Sequence, residues 1–480
     1  MAGTVTDGGW RKGRSLAVRK SGLWIQHRPD PRGYHPFEVA RRKAVILSLM
    51  GRWDEADALL QRNLELAPAG GLSWHQARSL IDIGGLMFKR GDYPQALDLC
   101  RRALDLSQEL DDPGLIGDSL NNLGNACYNL GDYEQAEQCF GRRLALAEEQ
   151  GYLQGLGEAL NNLGTLYADR GKYREAMECY RRKLEIASQL GDKQGEGLAW
   201  GNVAMVHYYL GEFAQVEENL QRQMALARSI GDLQMMALAS GNLGILYMDL
   251  GDYGQSLEFS RRKLAICQTL GAKAGINEAL SNIGTVHYHL GEYGEALEYL
   301  EKERNYNLEL GDRLGVALSN LTIGNIHKER DQIDLAARLY QEALAVLEEL
   351  GVKHYCSELL LNQAELSLLG DDCPGAERLA AKSLEYAREV GRKDVAFQAQ
   401  VMLAGLTAGR DLRSGREQLN ALLAAAGSDE ERALANFALY RATADPAGRD
   451  RALGLYRELY RKTNRKYYRD QIDKLNEGER

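Results

Sequence analysis

Apolar residues recur along the chain at helical spacing, for example at Leu156, Leu160, Leu163 and Tyr167, and again at Tyr173, Ala176, Tyr180 and Leu184. Steps of three and four place such residues on one stripe of an α-helix, so the pattern predicts a succession of amphipathic helices. Glycine interrupts these stripes at a fixed interval. One series runs Gly51, Gly91, Gly131, Gly171, Gly211, Gly251 and Gly291; a second, offset by twenty residues, runs Gly151, Gly191, Gly231, Gly271, Gly311, Gly351 and Gly391. A period of 40 with two turns in it predicts repeated helix pairs, because periods of roughly 20–50 residues mark stacked repeat architectures. An acidic residue follows several of the glycines, as in Gly91-Asp92, Gly131-Asp132, Gly251-Asp252 and Gly291-Glu292. A left-handed glycine ending one helix and an acidic residue capping the next predicts a tight αα-hairpin. Pro94 then falls in the first helical turn, where a missing N–H costs nothing.

Single columns repeat as well. The first helix of each pair carries glycine at Gly84, Gly124, Gly164, Gly244, Gly284 and Gly324. The second carries Tyr93, Tyr133, Tyr173, Phe213, Tyr253 and Tyr293, followed by Ala96, Ala136, Ala176, Val216, Ser256, Ala296 and Ala336. Small residues facing each other across a pair predict a close approach of the two backbones. Leu123-Gly124, Tyr128, Gly131, Tyr133 and Ala136 together resemble the tetratricopeptide repeat. The period departs from that family's standard unit of 34 and is similar to the 40-residue repeat of the Pins/LGN polarity scaffolds and of bacterial signalling arrays. The resemblance implies an all-α, right-handed superhelical solenoid of about ten or eleven helix pairs. The regular register predicts the array over residues 36–392, with degenerate repeats and a closing helix over 393–480. Tyr456–Leu475, rich in Arg and Lys, suits that closing helix. Residues 1–35 lack periodicity, contain Pro29 and Pro31, and predict an irregular arm.

Composition sharpens this reading. Glycine is counted 51 times against 8 prolines, so the turns are frequent while the chain stays helical, which excludes collagenous and low-complexity classes. Fifty-nine basic and 68 acidic side chains give a formal charge of -9, which opposes general attraction to nucleic acid, so no nucleic-acid partner is expected. The aliphatic run Ala44-Val45-Ile46-Leu47 is far short of the roughly 20 residues that a membrane span needs, and residues 1–30 lack the apolar core of a secretory signal. Seven cysteines without a CxxC pair read as reduced thiols, and the expected location is cytoplasmic.

The candidate chemistry is a binding face. Asparagine recurs at Asn122, Asn162, Asn202, Asn242 and Asn282, although it is a mediocre helix former. Two readings account for it: the amides satisfy groups between neighbouring helices, or they form a ladder that pairs with the backbone of an extended ligand. The resemblance places this position on the first helix of each pair, which lines the concave groove in tetratricopeptide superhelices. Asn121, Asn125, Asn161 and Asn325 neighbour it, and Tyr128, Tyr208 and Tyr288 lie one turn on. Asp118, Glu158 and Glu278 make the same helices acidic, favouring a ligand with basic residues. Arg102, Arg142, Arg182, Arg222, Arg262 and Lys302 form a basic column, five of them four residues after an acid, so the expected state is a self-neutralised outer face. His207, His287 and His327 occupy an aromatic slot, and equivalent positions of neighbouring repeats are too far apart to share a metal ion. No P-loop, H-E-x-x-H or G-x-S-x-G string occurs. No catalytic residues, metal or cofactor are therefore expected.

The expected function is a protein-interaction scaffold that takes an extended or partly helical segment of a partner in its groove. The alternative is a sensor arm or partner of a bacterial signalling effector; oligomeric state is left open. Glycines early in the first helices, Gly155, Gly195, Gly275 and Gly315 together with Gly117, Gly157 and Gly197, are not explained by turns. Either the helices start later than drawn or a bound chain approaches the backbone there.

Overall fold

A computed structural model describes residues 35–50, 52–69 and 72–477, in which all regular structure is helical. The arm expected over residues 1–35 lies outside the described residues except for His35, which begins the first helix. The chain divides into two compact units, one ending at Asp232 and the other beginning at Leu233. The first contains α1 (His35–Leu49), α2 (Trp53–Ala69), α3 (Ser73–Arg90), α4 (Tyr93–Glu109), α5 (Pro113–Leu130), α6 (Tyr133–Glu149), α7 (Leu153–Asp169), α8 (Tyr173–Leu190), α9 (Lys193–Tyr209) and α10 (Phe213–Ile230). The second contains α11 (Leu233–Asp249), α12 (Tyr253–Leu270), α13 (Lys273–Leu290), α14 (Tyr293–Leu310), α15 (Arg313–Glu329), α16 (Ile333–Glu349), α17 (Lys353–Leu369), α18 (Cys373–Glu389), α19 (Lys393–Arg410), α20 (Leu412–Ala425), α21 (Asp429–Thr443), α22 (Pro446–Thr463) and α23 (Lys466–Glu477). Within each unit every helix packs on the next, so the architecture is an all-α solenoid.

The turns follow from glycine's freedom at positive φ. Gly131 has φ 84°, its N–H reaches the Tyr128 carbonyl, and the Asp132 N–H reaches that of Cys127, which closes α5 with a Schellman pair of bonds. Asp132 then caps α6 by accepting from the Gln135 N–H at 3.0 Å, as Asp92 and Asp252 do for Gln95 and Gln255. Where the glycine series breaks, aspartate takes the left-handed position at Asp111, Asp331 and Asp371, since its short polar side chain tolerates that conformation. Glu292 does not cap; its longer side chain accepts instead from His287 Nδ1 at 2.5 Å.

Six pairs are locked by a missing Cβ, at Gly84, Gly124, Gly164, Gly244, Gly284 and Gly324, whereas Ala204 and Ala364 stand at the same place in two others. A Cβ at Gly164 would stand 2.6 Å from the Tyr180 ring, and one at Gly324 would meet Tyr340 at the same distance. A large side chain of the second helix therefore fills the space above the glycine, where facing small residues alone were expected. The close backbone approach is present beside it, with the Ala296 carbonyl 3.4 Å from a Cβ built at Gly284. Tyr180 and Tyr340 are fully buried.

The early-helix glycines divide into two kinds. Gly155, Gly195, Gly275 and Gly315 are the third residues of their helices, and a Cβ there would collide with Tyr152, Asp192, Cys267 or Asn307. Their own cap or the preceding helix fills the space, and no outside chain is required. Gly157 has only ordinary contact, Ile186 at 3.6 Å. At the far end, the single closing helix expected over Tyr456–Leu475 is broken. Asn464 adopts φ 52° and separates α22 from α23, which pack with α21 around Ala433, Ala452, Tyr456, Tyr468 and Leu475.

These two glycine types predict opposite outcomes. Gly164→Ala is expected to lower stability by about 1–3 kcal/mol through overpacking against Tyr180, whereas Gly157→Ala is expected to raise it by up to about 1 kcal/mol through helix propensity. Denaturant titration followed by circular dichroism measures both, and a destabilised Gly157→Ala would contradict the assignment of its space as open.

Candidate functional site

From α1 to α9 in the first unit and from α11 to α21 in the second, each odd-numbered helix also touches the next odd-numbered one, as α3 touches α5 and α13 touches α15, whereas even-numbered helices do not reach each other. Each stack therefore bends toward its first helices, and residues facing along them lie on the inner side.

In the first unit this side carries a hydrogen-bonded chain of amides. Asn122 Nδ2 donates to the Ile81 carbonyl at 3.2 Å, Asn162 Nδ2 donates to Asn121 Oδ1 at 2.9 Å, and Asn202 Nδ2 donates to Asn161 Oδ1 at 3.0 Å. Every bond runs from one repeat to the repeat before it. Asn121, Asn122, Asn125, Asn161, Asn162 and Asn202 are all half-buried. An amide has two N–H donors and two acceptor lone pairs, so each keeps at least one N–H beyond these bonds, although Asn161 Oδ1 is filled by Asn202 and Lys183. The sequence left open whether these amides serve neighbouring helices or a ligand; here they do bridge helices while remaining accessible.

The other expected groove residues separate. Tyr128 is half-buried and its hydroxyl donates to Asp169. Tyr208 is 4% exposed and packs edge-on against Phe213, so its ring belongs to the core. In the second unit Asn282 is 7% exposed and offers little surface, while Asn242 and Tyr288 are half-buried. Asn325 accepts from the Tyr340 hydroxyl at 2.6 Å and from Asn362 Nδ2 at 3.0 Å.

The acidity expected to attract a basic ligand is already neutralised. Asp118 receives Arg78 at 2.6 Å, Glu278 receives Lys263 Nζ at 2.5 Å, and Glu158 pairs with Arg143. Burial alone would lower the Arg78 pKa, but Asp82 and Asp118 outweigh it and hold the guanidinium charged. The inner face is thus polar with its charges matched, and the preference for basic ligands along it loses its basis. On the outer face Arg222, Arg262 and Lys302 pair with the acids four residues earlier, as expected, while Arg182 reaches Glu148 of the previous pair. His207, His287 and His327 each direct Nδ1 at the side chain five residues on.

One buried polar column was overlooked in the sequence. Arg143, Lys183, Gln223, Lys263 and Glu303 directly follow the exposed basic column, and all five are buried. The signal was register: Arg143 falls on the stripe of Ala136, Phe140 and Ala147, at helical steps of four, three and four, and all four are buried. Lys183 Nζ reaches Asn161 Oδ1 at 2.5 Å, tying this column to the amide chain. At Glu303 the column changes sign. Ser319 Oγ donates to its carboxyl at 2.7 Å and Asn307 Nδ2 donates at 2.9 Å. Burial pushes the carboxyl up to about 7, against the lowering by these two bonds.

The tetratricopeptide repeat family model matches residues 37–109, 75–149, 115–189, 155–229, 234–305 and 275–349. No curated protein matches the chain. Among solved structures, the apo form of RapI superposes with TM-score 0.56 at 13% identity over 74% of this chain and 99% of that one. BtubC from P. vanneervenii gives TM-score 0.41 at 20% identity, over 46% of this chain and 92% of its own. A signal-transduction ATPase with a tetratricopeptide repeat sensor from Pyrococcus horikoshii gives 0.48 at 13% identity, over 68% and 51% respectively. The likeness to RapI is one of fold.

The raised Glu303 pKa makes a pH-dependent contribution. Because the folded carboxyl binds its proton more tightly than the unfolded one, stability falls as pH rises from about 4.5 to about 7, and the full penalty persists above that. Glu303→Gln cannot ionise, so its stability advantage over the native chain is expected to be small near pH 5 and on the order of 2 kcal/mol at pH 8. Denaturant midpoints across that range test this, and a constant difference would refute it.

Proposed function

We propose that this chain, which belongs to the tetratricopeptide repeat family, is a protein-interaction scaffold that holds an extended or partly helical segment of a partner against the first-helix side of α1–α10. The observation that carries the reading is the amide chain Asn122, Asn121, Asn162, Asn161 and Asn202. Half-buried amides already oriented by bonds to their neighbours present their remaining donors and acceptors without further ordering, which lowers the entropic cost of capture. Amides are complementary to peptide N–H and C=O groups, so recognition of this kind follows the ligand backbone more than its side chains. Matched charges on the same face support a ligand without strong net charge. Tyr128 supplies an aromatic edge, and in residues 233–480 Asn242, Tyr288 and Asn325 are the corresponding candidates.

Location follows more coarsely. No described helix is long and apolar enough to cross a membrane. Cys100, Cys127, Cys139, Cys179, Cys267 and Cys356 are free and buried, and burial pushes the Cys100 thiol up to about 12. Such thiols suit a reducing compartment, which supports a cytoplasmic assignment.

A peptide selected from a displayed random library against the full chain provides the probe. Replacing Asn162, Asn202 and Asn242 together by alanine is expected to weaken its binding at least about ten-fold, equivalent to 1.4 kcal/mol, while helical content is retained and melting falls only slightly. N-methylation of the peptide backbone is expected to cost more affinity than alanine substitution of its side chains. Undiminished binding by the triple variant in fluorescence anisotropy would overturn the proposal.

A further inference from the structure

The turn between α22 and α23 returns to a part of the second unit more than two hundred residues earlier in the chain. Arg465 Nε donates to the Tyr253 hydroxyl at 3.0 Å across a separation of 212 residues, in an array whose inter-repeat bonds, such as Asn162 to Asn121, span 41. Lys466 Nζ lies 5.4 Å from the centre of the Tyr293 ring and also reaches Asp470 at 2.6 Å. Helix α23 touches α13. The contact therefore engages the same feature of two successive repeats, the turn within the pair and the tyrosine that starts the second helix.

The glycines record the approach independently. At nearly every left-handed turn, including Gly91, Gly131, Gly211, Gly271 and Gly311, the place of a Cβ is empty to 4 Å. Gly251 and Gly291 differ: a Cβ at the first would stand 2.8 Å from the Thr463 Cα, and one at the second would collide with the Lys466 side chain. The backbone of one segment and the stem of the other lie directly on bare turns, a proximity that any larger residue would prevent.

The chemistry of the surface is selective. His289 stacks on Tyr253 with ring centres 5.8 Å apart, beneath the approach of Arg465. Burial, and after it Arg465, push its pKa down to about 3, so a neutral imidazole and a phenol ring face the guanidinium. Glu430 and Tyr468 flank Arg465 from its own side. Two tyrosines, two bare glycines and a neutral histidine form a receptor for adjacent arginine and lysine, because aromatic faces and a phenol oxygen accept cations without requiring a paired carboxylate. The contact is not sealed by apolar packing. An open cleft of about 470 Å³ lies beside it, lined by Leu250, Gly251, Tyr253, Leu290, Lys462 and Asn464 among others.

We propose that the turns at Gly251–Tyr253 and Gly291–Tyr293 form a docking surface for a polypeptide segment bearing adjacent arginine and lysine, and that the chain's own Thr463–Tyr468 occupies it as a built-in competitor. The surface is built from residues of the second unit and does not depend on the role of the amide chain. The net charge of -9 favours approach of a basic segment.

The test uses the full chain and a fluorescent synthetic peptide with the sequence of residues 460–470. Arg465→Glu/Lys466→Glu reverses both cations of the internal segment and frees the surface. The variant is expected to bind the peptide at least ten-fold more tightly than the native chain, which holds its own competitor. Adding Tyr253→Phe and Tyr293→Ala is expected to abolish that gain. Hydrogen exchange gives a second readout: protection at residues 251–255 and 291–295 is expected to drop in the double variant, with residues 211–215 unchanged. Equal peptide binding by native chain and variant, absence of binding by the variant, or unchanged exchange at both turns would each overturn the proposal.

Discussion

The structure depends on a space that no side chain of the first helix can enter. At Gly124, Gly164, Gly284 and Gly324 the partner helix inserts Phe140, Tyr180, Leu300 or Tyr340 where a Cβ would be. Where the glycine is present this wedge sets the spacing and crossing of the helix pair; the pairs then stack on their neighbours, and only α23 among the described helices returns to a distant one, α13. Inner-face chemistry inherits its geometry from that spacing. Tyr180 and Tyr340 pass through the pair so that their hydroxyls meet Thr165 and Asn325 on the first helix, one position beyond the glycine. A packing residue thereby orients a polar one on the opposite surface.

Charge is managed differently on the two faces. Outside, i,i+4 pairs such as Lys302 with Glu298 are exposed and weak individually. Inside, Arg143 and Lys263 are buried and reach from a second helix to the first helix of the following pair, meeting Glu158 and Glu278. The desolvation of these cations has to be offset by geometry, and where the following helix offers leucine instead, as at Leu198 and Leu318, the column changes. Lys183 turns to an asparagine, and position 303 becomes a glutamate held by Ser319 and Asn307. The inner face is consequently neutral although many of its residues are ionised.

Much of this was legible in the sequence, and the exceptions share a cause. Turns and caps could be read because they are local: glycine followed by aspartate carries the geometry of both helix ends in two residues. The asparagine column was visible, but whether its amides bond to neighbours depends on the offset between repeats, which a single repeat does not encode. The early-helix glycines looked like candidate ligand contacts because the colliding side chains, Cys267 for Gly275 and Asn307 for Gly315, come from the preceding helix. The acids at 118, 158 and 278 looked available because their partners sit 15 or 40 residues away. The break at Asn464 had a local signal, Thr-Asn before a basic run, that the surrounding helical periodicity obscured.

The amide bonds of the first unit have a translational property. Asn162 donates to the residue 41 positions before it, and Asn202 does the same with a chemically identical acceptor. Removing or duplicating the unit that carries Asn161 and Asn162 would bring Asn202 opposite Asn121 or a second Asn161, an equivalent carbonyl oxygen. Across these units the array can therefore lengthen or shorten by one repeat during descent without leaving an unsatisfied amide at the junction, so unequal recombination there carries little structural penalty along this face.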